Sequence, residues 1–315
     1  MTTIPFIYKY QPQYLDNFQI RGDLKNMFKV LLETNNMNIL LVGDCGSGKT
    51  TLINALLREY YKKNDLSNNE NILYINTLKD QGIQYYRNDV KTFCQTMSNV
   101  KKTVVLDDID LINDQSQQVF RNCMDKYGKN VFFICSCNNI QKVVETLQSR
   151  INCIKINPLN KENLYNILYN IIDVEQLTID QESIDFIIKI SNHSATILIN
   201  YLEKLKLLNI DITFDICLNI CTNVCFSEFN TYTNYCKNRD INNAIKVIYS
   251  INDKGFSVMD ILDNYFLYIK YTDILTEKCK FEIIKLLMKY ITIFHTIHED
   301  EIELVLFTNN LIKLF

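Results

Sequence analysis

The chain has 315 residues, too many for one small core and suited to two or three domains. Hydrophobic residues make up 47% and charged residues 22%, and the formal net charge is −3, so this is a globular protein and not a polycation. Any contact with nucleic acid therefore runs through a local basic surface. No apolar run approaches the roughly 18 residues of a membrane span. The N-terminal residues lack the charged-then-apolar layout of a secretory signal, which predicts an intracellular protein. The 11 cysteines are then expected to be reduced and buried as small apolar residues. No paired C-x-x-C spacing suggests a metal site. Cys217, Cys221 and Cys225, spaced by four, are expected on one helix face. His295 and His298 lie three apart on a predicted helix, a spacing that can share a ligand; among Glu299, Asp300 and Glu301 a solvated face is expected.

In chain order, the first informative element is the apolar run 38–42, read as a buried strand. It leads into Gly43, Asp44, Cys45, Gly46, Ser47, Gly48, Lys49 and Thr50, and then into the stretch from Thr51 to Arg58, which begins an amphipathic helix. Strand, G-x-x-x-x-G-K-T and helix together are the context of a phosphate-binding loop. Glycines let backbone N–H groups turn toward phosphate oxygens, and the helix N-terminus adds its dipole. Lys49 is expected on the β/γ-phosphates of ATP and Thr50 on Mg²⁺. Three of the seven glycines fall between 43 and 48, so a chance glycine-rich turn explains the run poorly.

Next, the strand 103–106 ends in Asp107, Asp108 and Asp110. Asp107 is placed to support Mg²⁺, directly or through water, and Asp108 to orient or deprotonate the attacking water. Acids that merely cap a following helix are the other reading. The strand 131–135 ends in a polar stretch whose Asn138 faces the ligand crevice of a doubly wound sheet and can sense the γ-phosphate. Strands alternate with helical segments from 38 to 156, which predicts a parallel α/β sheet. Arg87 and Lys91, four apart on a predicted helix opened by Gly82, share a face that can hold DNA phosphates; a solvated basic face is the alternative. Beyond 160, apolar residues at Leu164, Ile167, Leu168 and Ile171 follow helical spacing behind an Asn160 cap.

These residues resemble the small subunits of replication factor C, the clamp loader within the AAA+ ATPases. The resemblance runs from Pro5–Pro12 and Leu15–Phe18, through the phosphate loop, to Leu73–Asn76 and the region of Asp80 to Phe93. It continues through Leu106–Asp110, Ser116–Tyr127, Ser136–Asn138 and Leu147–Arg150 to Gly255–Ser257 within 240–270. It implies an α/β AAA+ nucleotide-binding domain at 1–159, a helical lid at 160–225 and a helical collar at 226–315. It also implies that Tyr10 and Pro12 pack around the adenine and that Arg150 reaches the ATP of a neighbouring subunit. The collar's apolar stripes (Ala244, Ile245 and Ile248; Ile261, Leu262 and Tyr265) serve either as its own core or in ring assembly. The implied partners are other clamp-loader subunits in a hetero-oligomer of five, a sliding clamp and primer–template DNA, with no membrane. The implied location is the nucleus or, for a viral protein, the host-cell replication compartment.

Three positions depart from the family pattern. Its Asp-Glu-Ala-Asp reads Asp107, Asp108, Ile109, Asp110 here; the shorter Asp108 sits where a Glu would polarise water, and a misplacement of about 1 Å can cost on the order of 100-fold. The lid's arginine position holds Thr196. The Ser-Arg-Cys motif reads Ser149, Arg150, Ile151, with the arginine intact. The expectation is an ATP-driven clamp-loader subunit that binds and hydrolyses ATP, with binding secure and its own turnover weakened by Asp108 and Thr196. An ATP-binding scaffold subunit that donates Arg150, and another AAA+ machine such as a helicase loader or branch-migration motor, are the alternatives.

Overall fold

The computed structural model describes residues 4–63, 66, 69–76, 82–208, 210–222, 224–272, 274–294 and 298–315. The motif residues Asp80 and Gln81, and His295, lie outside them. The chain forms two compact units, residues 1–176 with 191–203 and residues 177–190 with 204–315.

The first unit contains α1 (Phe6–Lys9), α2 (Gly22–Glu33), β1 (Ile39–Val42), α3 (Lys49–Tyr61), β2 (Ile72–Asn76) and α4 (Gly82–Gln95). It continues with β3 (Lys102–Asp107), α5 (Asp114–Tyr127), β4 (Val131–Cys137), α6 (Glu145–Gln148), β5 (Asn152–Lys155) and α7 (Lys161–Glu175). The five strands are parallel in the order β2-β3-β4-β1-β5. Helical crossovers cover both faces of such a sheet, which is why its central strands read as continuous apolar runs. Alternation sorts each strand between the two faces. Val104, Leu106, Phe133 and Cys135 pack with Val90 of α4 and Phe120 of α5. Val105, Phe132, Ile134, Ile39 and Leu41 pack with Phe28 of α2 and Leu52 and Leu56 of α3. Register brings the strand ends level: Val42 lies beside Cys137, and Leu106 beside Cys135. The residues that follow β1, β3 and β4 therefore meet at one carboxyl edge, where open α/β sheets bind ligands.

The second unit is helical: α8 (Gln181–Ile190), α9 (Ala195–Leu208), which begins in the first unit, α10 (Phe214–Ile220), α11 (Phe226–Lys237), α12 (Ile241–Asn252), α13 (Val258–Tyr271), α14 (Glu277–Phe294) and α15 (Ile302–Ile312). Aromatic rings join four of these helices. Tyr232 of α11 meets Tyr265 of α13 edge-on at 5.4 Å, and Phe307 of α15 contacts both Tyr265 and Tyr290 of α14. The buried hydroxyl of Tyr232 pairs with Thr308 at 2.8 Å and that of Tyr265 with Thr233 at 3.2 Å, so these polar tips are satisfied inside an apolar core. Ala244, Ile248, Ile261, Leu262 and Tyr265 are all buried, so the stripe forms the unit's own core; Ile245 is half-buried.

Two local expectations are corrected. Cys217 lies in α10, Cys221 caps it and Cys225 precedes α11; one helix face cannot carry all three, because the helix stops at Ile220. His298 lies past the end of α14 at Phe294, in non-helical chain. Seven cysteines are buried as expected, but Cys45 and Cys153 are exposed.

Candidate nucleotide site

The loop after β1 is shaped by close approach. A Cβ on Gly43 would stand 2.7 Å from the Ile156 carbonyl oxygen. Gly46 has φ +76°, and a Cβ there would fall 2.4 Å from Ser194 Oγ, so only glycine fits. Gly48, at φ +87°, turns the chain into α3, leaving the first N–H groups of that helix facing the loop. Lys49 is buried, and its ammonium donates to the carbonyls of Gly43 and Asp44, both at 2.9 Å, and to Asn138 Oδ1 at 2.7 Å. No carboxylate neutralises it in these bonds, so an entering phosphate can replace neutral acceptors with a charged one.

The acids stand opposite. Thr50 Oγ1 donates to Asp107 Oδ2 at 2.9 Å. Ser136 Oγ donates to Asp107 Oδ1 and accepts the N–H of Asp108 at 2.9 Å, locking the end of β3 to β4. A hydroxyl and a carboxylate in contact at a phosphate loop are hard oxygen donors, a set that fits Mg²⁺. Asp108 adopts a left-handed backbone, φ 53°, ψ 55°. Asn138 Nδ2 donates to its carboxylate at 3.2 Å. Burial, then the neighbouring Asp107 charge, push the Asp108 carboxyl above the usual carboxylate range. Asp110 accepts the backbone N–H groups of Asn138 and Asn139 at 3.3 and 3.1 Å. Asn138 thus touches Lys49 on one side and Asp108 on the other.

Beside the loop lies a cavity of about 270 Å³. Its walls include Tyr10 and Pro12 of the N-terminal segment, Gly46, Ser47, Gly48 and Thr51 of the loop and helix, and Ile167, Ile171 and Thr196. Among the described residues, none that lines it is charged. An uncharged slot opening onto a phosphate loop has the chemistry for a base and ribose.

The family comparisons agree with this arrangement. Residues 39–159 match the model of the ATPase family associated with various cellular activities, and residues 227–291 match that of the replication factor C C-terminal domain. The chain belongs to the replication factor C family of AAA+ ATPases. It is 29% identical over 290 residues to a putative replication factor C small subunit of Acanthamoeba polyphaga mimivirus, covering 85% of this chain and 83% of that one. It is 25% identical over 275 residues to human replication factor C subunit 5, covering 86% and 80%. Among solved structures, the Thermotoga maritima RuvB Holliday junction branch migration motor superposes with a TM-score of 0.56 at 16% identity, covering 87% of this chain and 98% of that one. That likeness shows the AAA+ fold alone. The C-terminal match separates this chain from such a motor.

Two further features of this replication factor C chain lie away from the loop. Arg150 follows α6; its Nε donates to Asp125 Oδ1 at 2.6 Å and its Nη1 to the Thr146 carbonyl at 2.6 Å. The guanidinium holds the Asp125 carboxyl below its ordinary value, and the arginine remains 31% exposed, so it is braced yet reachable. Arg87 and Lys91 of α4 line an open groove together with Gln115, Asn122 and Lys126 of α5, and Gly82 begins α4. Lys126, the groove's third cation, was not singled out from sequence; the packing of α4 on α5 supplies it. Ser136, Asp110 and Ser194 were likewise missed as contributors. Their roles depend on strand register and chain return: Ser136 and Asp110 stand within the motifs Ser136–Asn138 and Leu106–Asp110 but were given no role of their own, and Ser194 carried no local signal.

Proposed function

We propose that this chain binds Mg²⁺–ATP at the loop 43–50 and works as a clamp-loader subunit in DNA replication, the known role of the family. The observation that supports it most is Asn138 bonded to both Lys49 and Asp108, which ties the phosphate loop to the acidic strand end. In this reading Lys49 and the loop N–H groups bind the phosphates, and Tyr10 and Pro12 flank the adenine. Thr50 and Asp107 hold Mg²⁺, which when bound neutralises phosphate charge. Asp108 orients the attacking water and Asn138 reads the γ-phosphate. Residues 1–159, 160–225 and 226–315 act as ATP-binding domain, lid and collar. Arg150 completes the site of the next subunit in a hetero-oligomer of five. The α4–α5 groove, with Arg87, Lys91 and the start of α4 at Gly82, holds primer–template phosphates while the assembled complex opens a sliding clamp.

A second reading, a scaffold subunit with little turnover of its own, is favoured by Asp108. Its short carboxylate is held back by Asn138, and Thr196 brings no cation to the loop side. Turnover of the reconstituted complex carrying Asp108→Glu separates the two. A large gain identifies a shortened base, and no gain removes that explanation of slow hydrolysis.

A further inference from the structure

The wall of the uncharged cavity is pinned from outside it. On one side runs the N-terminal segment, with Ile7, Tyr10, Gln11 and Pro12; on the other, α7 presents Asn166, Ile167, Asn170 and Ile171. The two sides are tied at two points. Near the start of α7, Asn163 Nδ2 donates to the Gln19 carbonyl at 2.9 Å. At its last residue, Glu175 Oε1 accepts both the Tyr10 hydroxyl at 2.6 Å and the Lys9 ammonium at 2.5 Å. The cavity-lining residues of α7 fall between these ties, which stand about 18 Å apart along the helix. The Glu175 side chain is only 12% exposed. The Tyr10 ring meets the buried Phe6 ring edge-on at 5.4 Å, and the Lys9 ammonium lies 5.3 Å from the Tyr10 ring centroid. One carboxylate therefore fixes the rotamer of a cavity-wall tyrosine and the short helix before it.

We propose that Glu175 is a positioning residue for the nucleoside end of the nucleotide: it clasps Tyr10 and Lys9 and so holds the wall against which base and ribose seat. The inference rests on the nucleotide reading above. Phosphate binding uses the loop and Lys49, which the clasp does not touch. Loss of the clasp frees the N-terminal segment, and ordering it again is charged to binding. The defect must therefore appear with the base present and vanish without it.

Isothermal titration of the full chain with Mg²⁺–ATP and, separately, with Mg²⁺–tripolyphosphate tests this. Glu175→Ala should weaken ATP by roughly tenfold or more while leaving tripolyphosphate unchanged. Tyr10→Phe, which removes one hydroxyl and keeps the ring, should shift ATP in the same direction by less. Glu175→Gln, which can still accept from Tyr10, should fall between wild type and Glu175→Ala. Should Glu175→Ala fail to fold, Tyr10→Phe and Glu175→Gln carry the test. Unchanged ATP affinity in the variants, or an equal loss for ATP and tripolyphosphate, overturns the inference. Failure of the wild-type chain to bind either ligand instead overturns the nucleotide reading itself.

Discussion

Ser136 joins the two acidic positions of the site. Its hydroxyl reaches the Asp107 carboxylate and the Asp108 N–H together, so it fixes the metal-side acid and the turn that aims the next one. Its neighbour Asp108 stores an unfavourable charge. The raised acid keeps its proton to higher pH in the folded chain than in the unfolded one, so its ionisation removes stability as pH rises above the ordinary carboxylate range. Asp108→Asn should accordingly raise the melting temperature at neutral pH, and the gain should vanish below about pH 4, where both side chains are neutral. Thermal melting across pH checks this; a loss at neutral pH, or a gain that ignores pH, contradicts it. Lys49→Ala should reduce ATP affinity on the order of 100-fold with little change in melting of the free chain, since its partners there are neutral acceptors. Titration calorimetry reads that loss. The meeting of Lys49, Asp107 and Asn138 was legible in the sequence, because Lys49 closes the glycine-rich loop and Asp107 and Asn138 come at the ends of apolar strands. Ser136 and Glu175 were not. One acts through the alignment of β3 with β4, the other across 165 positions of chain, and neither distance leaves a local pattern.

At the scale of elements, glycine placement and capping decide more than propensity. Gly46→Ala forces a Cβ onto Ser194 and a residue into a left-handed backbone, so nucleotide binding should drop sharply. Adding Ser194→Gly should recover part of it by removing the obstructing hydroxyl, while the backbone strain persists; binding measured on both variants checks the split. In the second unit, Ser257 and Asp260 form a reciprocal capping box at the start of α13, the helix that carries Tyr265 and Tyr268 into the core. Ser257→Ala should cost about 1 kcal/mol in denaturant unfolding without altering ATP affinity. The strands and long helices were legible because a parallel sheet buried on both faces demands unbroken apolar runs. The misplaced cysteine face marks where periodicity misleads. A spacing of four persists through Cys217, Cys221 and Cys225, but the helix has already ended.

For the whole molecule, the weight falls on Arg150, whose carbonyl and carboxylate partners hold it ready at a partly exposed position of its own subunit. If it serves a neighbour, its loss must spare the chain's own ATP binding and damage turnover next door, on the order of 10³-fold at that site. The family's order of motifs suggests this role, whereas the geometry of a single chain shows only a braced, partly exposed arginine. The measurement that bears most directly on the clamp-loader account is ATP turnover by the complex reconstituted with its partner small subunits, in the presence and absence of sliding clamp and primer–template DNA. The account predicts that clamp and DNA together stimulate turnover, that Arg150→Ala removes most of the stimulation, and that this variant chain still binds ATP as wild type does. Turnover indifferent to clamp and DNA, in a complex that retains no clamp with ATP present, would contradict it.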